Sequence, residues 1–510
     1  MSDPSGLDRR ASGLLLHITS LPGRFGIGTL GQEAVDFLDQ LARGKQAYWQ
    51  VLPLGPTSPV FGHSPYASPS AFAGNPLVID LESVQAEPWC PDLDLSSLES
   101  PPSGRVDFPA AARGGRRLDA ALAGFRRSAS RADREAFAAF REQHADWLDD
   151  YSLFVYFAEK FHTGHWPEWP QAIRLREPAA LDAVRREQAD ALEATAFRQF
   201  LFEMQWQALR EAADSRGVRL IGDIPIYITL DSADAWARPE IFDLDPRTRR
   251  PRAVAGVPPD YFSASGQLWG NPLYNWFDGS NLNESVMGWW ERRLRRTLEW
   301  YHVVRLDHFR AFAAYWAVPA DAPTAESGKW QPGPGQPFFE NLAQRLGPLP
   351  LIAEDLGEIT SDVEALRDEL GLPGMKILQF AFDGDPRNIH LPHNYPSPRC
   401  VVYPGTHDNN TVNGWFYGPE LDDTGRRRVQ DYVAAPDFHD MHRRILRLAL
   451  QSTACLAVIP VQDVLGFGAE CRMNTPGKGA DNWGWMLKSG DLDIESLDWL
   501  AALTLLYGRA

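Results

Sequence analysis

Cysteine is scarce in this chain: four residues among 510, at Cys90, Cys400, Cys455 and Cys471. None pairs in a C-x-x-C spacing, and none has a histidine placed to complete a zinc set. That excludes a disulfide scaffold and a structural zinc module, and it predicts reduced thiols in a reducing compartment. Long apolar runs are missing too, since no stretch approaches the ~18 continuous apolar residues of a membrane helix. The opening "MSDPSGLDRRASG" has no apolar segment ahead of a cleavage site, so no secretory signal is expected and the expected location is cytoplasmic. Positive charge is in deficit, with 50 Lys and Arg against 67 Asp and Glu and a net charge of −17. That balance argues against nucleic acid or an anionic membrane as partner and suits an uncharged one. A metal-dependent hydrolase would want H-x-H at the first strand, and "LLHIT" offers His17 alone. No cluster of oxygen ligands marks a Ca²⁺ site, and neither a metal nor another cofactor is expected.

Aromatic residues, by contrast, are plentiful: 18 Trp, 14 Tyr and 26 Phe. Many must be core, but rings with polar edges also suit flat, amphipathic ligands such as sugars. At 44% hydrophobic and 23% charged, the chain has material for a sizeable core. Eight short apolar runs recur. They are "GLLLHITS" (13–20), "AYWQVLPLG" (47–55), "RLIGDIPIYI" (219–228), "HVVRLDHF" (302–309), "LPLIAEDLG" (349–357), "GMKILQFAF" (374–382), "CVVYPGTHDN" (400–409) and "CLAVIPVQDVLG" (455–466). Near-continuous hydrophobicity is what strands covered on both faces show, as in parallel sheets. Helical patterns lie between them: "QEAVDFLDQLARG" (32–44) with Gly44 as C-cap, "NESVMGWWERRLRRTLEWY" before the fourth run, and "TSDVEALRDELG" after the fifth with Thr360 or Ser361 as N-cap.

This alternation predicts an α/β chain, a single (β/α)8 barrel over residues 1–510, although an open doubly wound sheet satisfies the same pattern. Residues 57–218 predict a mostly helical insertion after the second strand, and 229–301 a second insertion after the third. The Arg/Ala-rich stretch at about 110–145 reads as a solvated helix face. No separate β-sandwich domain is expected after the eighth strand.

Side chains at the C-terminal ends of barrel strands converge on one mouth, where catalysis sits. The residues at those ends are Asp223, Arg305, Asp307, Glu354, Asp355, His407, Asp408 and Asp463. Several carboxylates and one arginine at one mouth suit glycosidic-bond chemistry, which needs a nucleophile, a proton donor and stabilisation of an oxocarbenium-like transition state.

Three of these segments, "VVRLDHFRAF", "LIAEDLG" and "YPGTHDNNT", resemble the catalytic segments of the 4-α-glucanotransferases, the amylomaltases or disproportionating enzymes related to the α-amylases. "LLLHITSLPGRFGIGTLG", "HSPYASPSAFAGNP", "GDIPIYI", "GVPPDYFSASGQLWGNPLYNW" and "QDVLGFGAECRMNTPG" match in the same order, so the resemblance runs nearly end to end. It implies Asp307 as nucleophile, Glu354 as acid/base and Asp408 as transition-state stabiliser. The residues agree with that division. Arg305 and Asp307 leave one strand on the same face, and a guanidinium keeps a neighbouring carboxylate ionised. Apolar surroundings and like charges raise the pKa of Glu354, as a proton donor near neutral pH requires.

The resemblance further implies that Tyr66 stacks on the sugar whose bond breaks, that Asp223 and Arg305 bind around it, and that His407 hydrogen-bonds the same sugar. A Gly- and Pro-rich loop at 256–274 would arch over the glucan, with Gln267 and Trp269 toward the acceptor; Phe380 and Asn474 complete the implied binding set. His308 and Arg310 fit acceptor binding or pairing with acids equally well. Two departures stand out: "NWGWM" has Met486 where the family commonly has an arginine, and residues 81–135 resemble nothing specific.

The implied reaction is a retaining double displacement on α-1,4-glucans, with the 4-hydroxyl of an acceptor glucan or glucose replacing water. A hydrolase with the same three acids is the near alternative. A distant one is an NAD enzyme, because "GIGTLG" (26–31) satisfies G-x-G-x-x-G; the second strand ends "WQVLPLGP", without the acid such a site needs. No oligomeric state follows from the sequence.

Overall fold

Apolar residues covered on both faces hold all eight runs as strands in the computed structural model, which describes residues 7, 9–100, 103–259 and 263–510. The strands are β1 (Ala11–Leu15), β2 (Tyr48–Gln50), β3 (Arg219–Pro225), β4 (Val303–Asp307), β5 (Leu351–Ala353), β6 (Gly374–Ile377), β7 (Cys400–Tyr403) and β8 (Leu456–Pro460). They pair in parallel in the order β5-β4-β3-β2-β1-β8-β7-β6. That order is cyclic in sequence, as a barrel requires and an open doubly wound sheet does not. The last seam, between β5 and β6, is fastened differently. The Ala353 N–H donates to the Pro373 carbonyl at 2.9 Å, and the Met375 N–H donates to Asp355 Oδ1 at 2.7 Å.

The strands are shorter than the apolar runs that announce them, because the polar ends leave the ladder to build the mouth. β2 stops at Gln50, ahead of Pro53 and Pro56, which have no N–H to give a central strand. β1 begins earlier than the run, at Ala11. The helix Gln32–Arg43 buries Phe37, Leu38 and Leu41. Gly44 is its C-cap but keeps φ −68°, and Lys45 takes the left-handed position at φ 59°. Glu284–Trp300 is capped by the Asn283 side chain, which accepts the Ser285 N–H. Thr360 precedes the helix Ser361–Glu369.

Between β2 and β3 the chain runs mainly through helices, among them Phe108–Ser128, Arg131–Gln143, Ala145–Phe161 and Ala189–Ser215. Their shared core includes Phe125, Phe137, Phe197 and Phe200, with ring centroids 5.0–6.4 Å apart. Arg113, Arg116, Arg126 and Arg127 are exposed, the solvated face that the Arg/Ala-rich stretch predicts.

A second, antiparallel sheet stands beside the barrel mouth. Its strands run in the order Lys329–Pro332, Ala314–Pro319, Ala253–Val257 and Gln267–Pro272. The sequence reading of 256–274 as loop is therefore corrected: both its ends are strand. The signal was hidden because Gln267–Pro272 is mostly exposed and so lacks apolar alternation, and because the register shifts between Val254 and Gly256.

The glycines of "GIGTLG" serve packing. A Cβ at Gly28 would fall 2.0 Å from the Ile18 carbonyl oxygen, and one at Gly31 2.5 Å from the Asp80 carboxyl carbon. A carboxylate thus already faces the helix N-terminus that a dinucleotide phosphate would need.

Candidate active site

The β3–β4 register sets Asp223 beside Arg305 and Pro225 beside Asp307. Arg305 and Asp307, two residues apart, leave the same face of β4. Arg305 Nη1 donates to Asp223 Oδ1 and Oδ2 at 2.8 and 2.7 Å and to Asp307 Oδ1 at 2.8 Å. The side chains of Arg305 and Asp223 are 4% and 0% exposed, whereas Asp307 retains 29%. One enclosed cation therefore serves two acids, of which only Asp307 opens outward. Replacing Arg305 by Met strands Asp223 without its counter-ion, and such losses cost about 3–5 kcal/mol. Urea unfolding of Arg305→Met at pH 7 should show that deficit; wild-type stability would contradict the arrangement.

Glu354 follows β5 directly, and the pairing of Ala353 with Leu306 brings it level with Asp307. Its carboxylate accepts two backbone N–H groups, from His308 at 2.6 Å and from Leu356 at 2.9 Å. His308 reaches it from φ 54°, a left-handed conformation costing a non-glycine residue ~1 kcal/mol. Burial pushes Glu354 up to about 8, the negative charge of Asp307 adds to the rise, and Arg305 and the two N–H groups oppose it. The group is therefore protonated at neutral pH. Burial holds His308 down at about 4, so its ring is neutral. That ring meets Trp269 edge-on, with centroids 4.7 Å apart. Arg310, in contrast, turns away. It donates to the Glu358 carbonyl at 2.9 Å and the Thr360 hydroxyl at 3.0 Å, and its guanidinium lies 3.8 Å from the Trp330 ring centroid.

Asp408 lies beyond β7. Its Oδ1 accepts from Asn474 Nδ2 at 2.6 Å, and its Oδ2 is 3.4 Å from His407 Nε2. The Tyr66 hydroxyl lies 2.8 Å from both Asp223 Oδ2 and His407 Nε2. A phenol has one proton, and the carboxylate can only accept, so the His407 Nε2 carries its hydrogen toward Tyr66. A single tyrosine thus joins Asp223 of β3 to the loop after β7, and Arg305 ties β4 to the same Asp223.

Above them opens a cleft of about 850 Å³, with Tyr66, Gln267, Trp269, Asp307, His308, Asp408, Asn474 and Trp483 in its lining. Arg305, Asp223, Glu354 and His407 are buried in contact with those residues. Trp269 is 38% exposed, which core packing does not explain, and its indole N–H donates to Gln267 Oε1 at 3.1 Å. Phe380 stands apart from this lining; its ring packs edge-on against His390 at 5.7 Å. Two acids at strand ends serve the barrel. Asp355 accepts from Met375 and from Arg367, and Asp463, which burial pushes up to about 7, accepts the Val412 N–H at 2.7 Å. Met486 is buried, with its N–H on the Gly104 carbonyl at 3.0 Å, so the departure from arginine adds core. Among the described residues no group of three or more His, Cys, Asp or Glu is placed to hold a metal ion.

The sequence reading passed over Trp483. Its ring lies 5.8 Å from Tyr66 and 6.0 Å from His407, closing one wall of the cleft. The signal was present in "NWGWM", where Trp483 stands three residues before Met486.

A family model described as 4-alpha-glucanotransferase matches residues 16–492. The 4-alpha-glucanotransferase of Synechocystis is 46% identical over 509 residues, covering 99% of each chain. That of Thermus thermophilus is 48% identical over 500 residues, 95% of this chain and 96% of the relative. Among solved structures, an amylomaltase from Streptococcus agalactiae in complex with acarbose superposes with a TM-score of 0.91 at 37% identity, covering 98% of this chain and all of the other. On the strength of that match, the chain belongs to the 4-alpha-glucanotransferase family.

Proposed function

We propose that this chain is a retaining 4-α-glucanotransferase in which Asp307 attacks the anomeric carbon of an α-1,4-glucan while Glu354 protonates the departing oxygen. A covalent glucosyl-enzyme forms on Asp307. Glu354, now a carboxylate, takes the proton of an acceptor's 4-hydroxyl as that oxygen attacks the same carbon and Asp307 leaves. Two inversions give net retention. Asp408, held by Asn474, stabilises the positive charge that develops on the sugar between the two covalent states.

One observation carries the reading: an enclosed guanidinium is hydrogen-bonded to the outward-facing acid, Asp307, beside a second acid, Glu354, that burial pushes up to about 8. Two carboxyl groups in opposite protonation states are what a double displacement at neutral pH requires. Tyr66, Asp223, Arg305 and His407 fix the sugar at the scissile bond in this reading. Gln267 and Trp269, on the exposed strand at the cleft, receive the acceptor and exclude water. Phe380, outside the cleft lining, rests in the binding set on the family resemblance alone. One catalytic barrel carries the whole site, with the 57–218 and 229–301 segments inserted in it. The reading also places the enzyme in the cytoplasm. Its support is four unpaired cysteines and, among the described residues, no helix long and apolar enough to cross a membrane.

Maltotriose tests transfer against hydrolysis. The expected product pattern is a ladder of longer maltooligosaccharides together with free glucose. Glucose and maltose alone would mean that water is the acceptor.

A further inference from the structure

Arg472 follows β8 and has no role in the chemistry above, yet its side chain reaches into the loop that carries Asp408. Its Nη2 donates to the Asp408 backbone carbonyl at 2.6 Å, and its Nε donates to the Asn474 carbonyl at 2.7 Å. Nη1 lies 3.6 Å from Glu420 Oε1, an oxygen that also accepts from Asn410 Nδ2 at 2.7 Å. Asn474 itself donates twice to the neighbouring loop, through its N–H to the His407 carbonyl at 3.1 Å and through Nδ2 to Asp408 Oδ1 at 2.6 Å.

We propose that Arg472 is a positioning residue for Asp408, oriented by Glu420, and that it fixes the separation between the loops after β7 and β8. The inference rests on the role of Asp408 given above. Both of its short bonds go to backbone carbonyls, one on each loop, so the guanidinium measures a distance. A planar fork with donors on Nε and Nη2 can hold two carbonyls at a set spacing, and a lysine, with a single point of charge, cannot. Glu420 is 40% exposed and lies 3.6 Å from the guanidinium, so this ion pair adds little to the fold. The consequence of losing the fork therefore falls on the rate: a displacement of ~1 Å in a positioned group can cost ~10²-fold.

The test compares Arg472→Met, Arg472→Lys and Glu420→Gln in the wild-type and in the Asp408→Asn background. Turnover is read with maltotriose and with a maltosyl fluoride donor, whose leaving group needs no proton. In the wild-type background Arg472→Met should lower kcat by ~10²-fold with KM changed less than about threefold, Arg472→Lys should recover less than about tenfold of that, and Glu420→Gln should cost about three- to tenfold. In the Asp408→Asn background each should change kcat by no more than about twofold, because the carboxylate through which they act is gone. Equal losses in both backgrounds would overturn the proposal. If Arg472→Met does not fold, the solvent-facing Glu420→Gln carries the same comparison. Undiminished turnover of Asp408→Asn alone would instead refute the role of Asp408, and the proposal with it.

Discussion

Asp307→Asn lowers glucan transfer by ~10⁴-fold or more while the protein stays folded and binds maltooligosaccharides within about tenfold of wild type. The substitution preserves shape and removes only the nucleophilic oxygen and its charge. Arg305 keeps its bonds to Asp223, so no enclosed cation is left alone. Initial rates of glucose release from maltotriose, alongside calorimetric binding, separate chemistry from affinity. Retained turnover would remove Asp307 from the mechanism. The same variant carries an internal control: the charge of Asp307 helps to raise Glu354, so a carboxyl ¹³C titration of Glu354 should report a lower value in Asp307→Asn.

Glu354→Gln carries the second large effect, and it has two signs. Losing the proton donor should reduce kcat by ~10²–10⁴-fold with unactivated glucans. Stability moves the other way at high pH. In the fold Glu354 titrates at about 8, against an ordinary 4.5, because burial disfavours its charge. A carboxyl raised in this way favours the fold fully below its unfolded value. That contribution is lost progressively as pH climbs from about 4.5 toward 8, since the unfolded chain gives up the proton first. Wild type should therefore weaken across that window by about 4 kcal/mol more than Glu354→Gln, which has no proton to lose. Denaturant midpoints of the two proteins should coincide near pH 4.5 and separate by pH 8. Parallel curves would show that Glu354 is not protonated in the resting fold. In the wild type, kcat/KM should also fall above pH 8 as the donor loses its proton.

Much of this was legible in residues alone, for identifiable reasons. Barrel strands buried on both faces write their apolar character continuously, so all eight runs were visible, and the polar residues at their ends marked the mouth. Arg305 and Asp307 were readable as a pair because a strand has a period of two. The tie between Asp223 and Arg305 was not, since the register of β3 against β4 is set by packing across a sequence separation of 82. The side sheet escaped for the opposite reason, being exposed and irregular, with no pattern for burial to impress. Trp483 and Arg472 escaped because they act through ring faces and backbone carbonyls, contacts that any sequence context can supply. Asp355 and Asp463 stood with the catalytic acids in sequence, and only their partners show that they brace the barrel.

The placing of Asp307 between Arg305 and Glu354 also sets a clock for the proposed reaction. The negative charge of Asp307 helps to raise Glu354 and so makes that neighbour reluctant to part with hydrogen. In the proposed glucosyl-enzyme on Asp307, that charge is gone while the guanidinium remains. Glu354 then becomes the weaker holder of protons just after it has surrendered one. In the proposed reaction, the acid of the first half thereby becomes the base of the second through a change of charge next door.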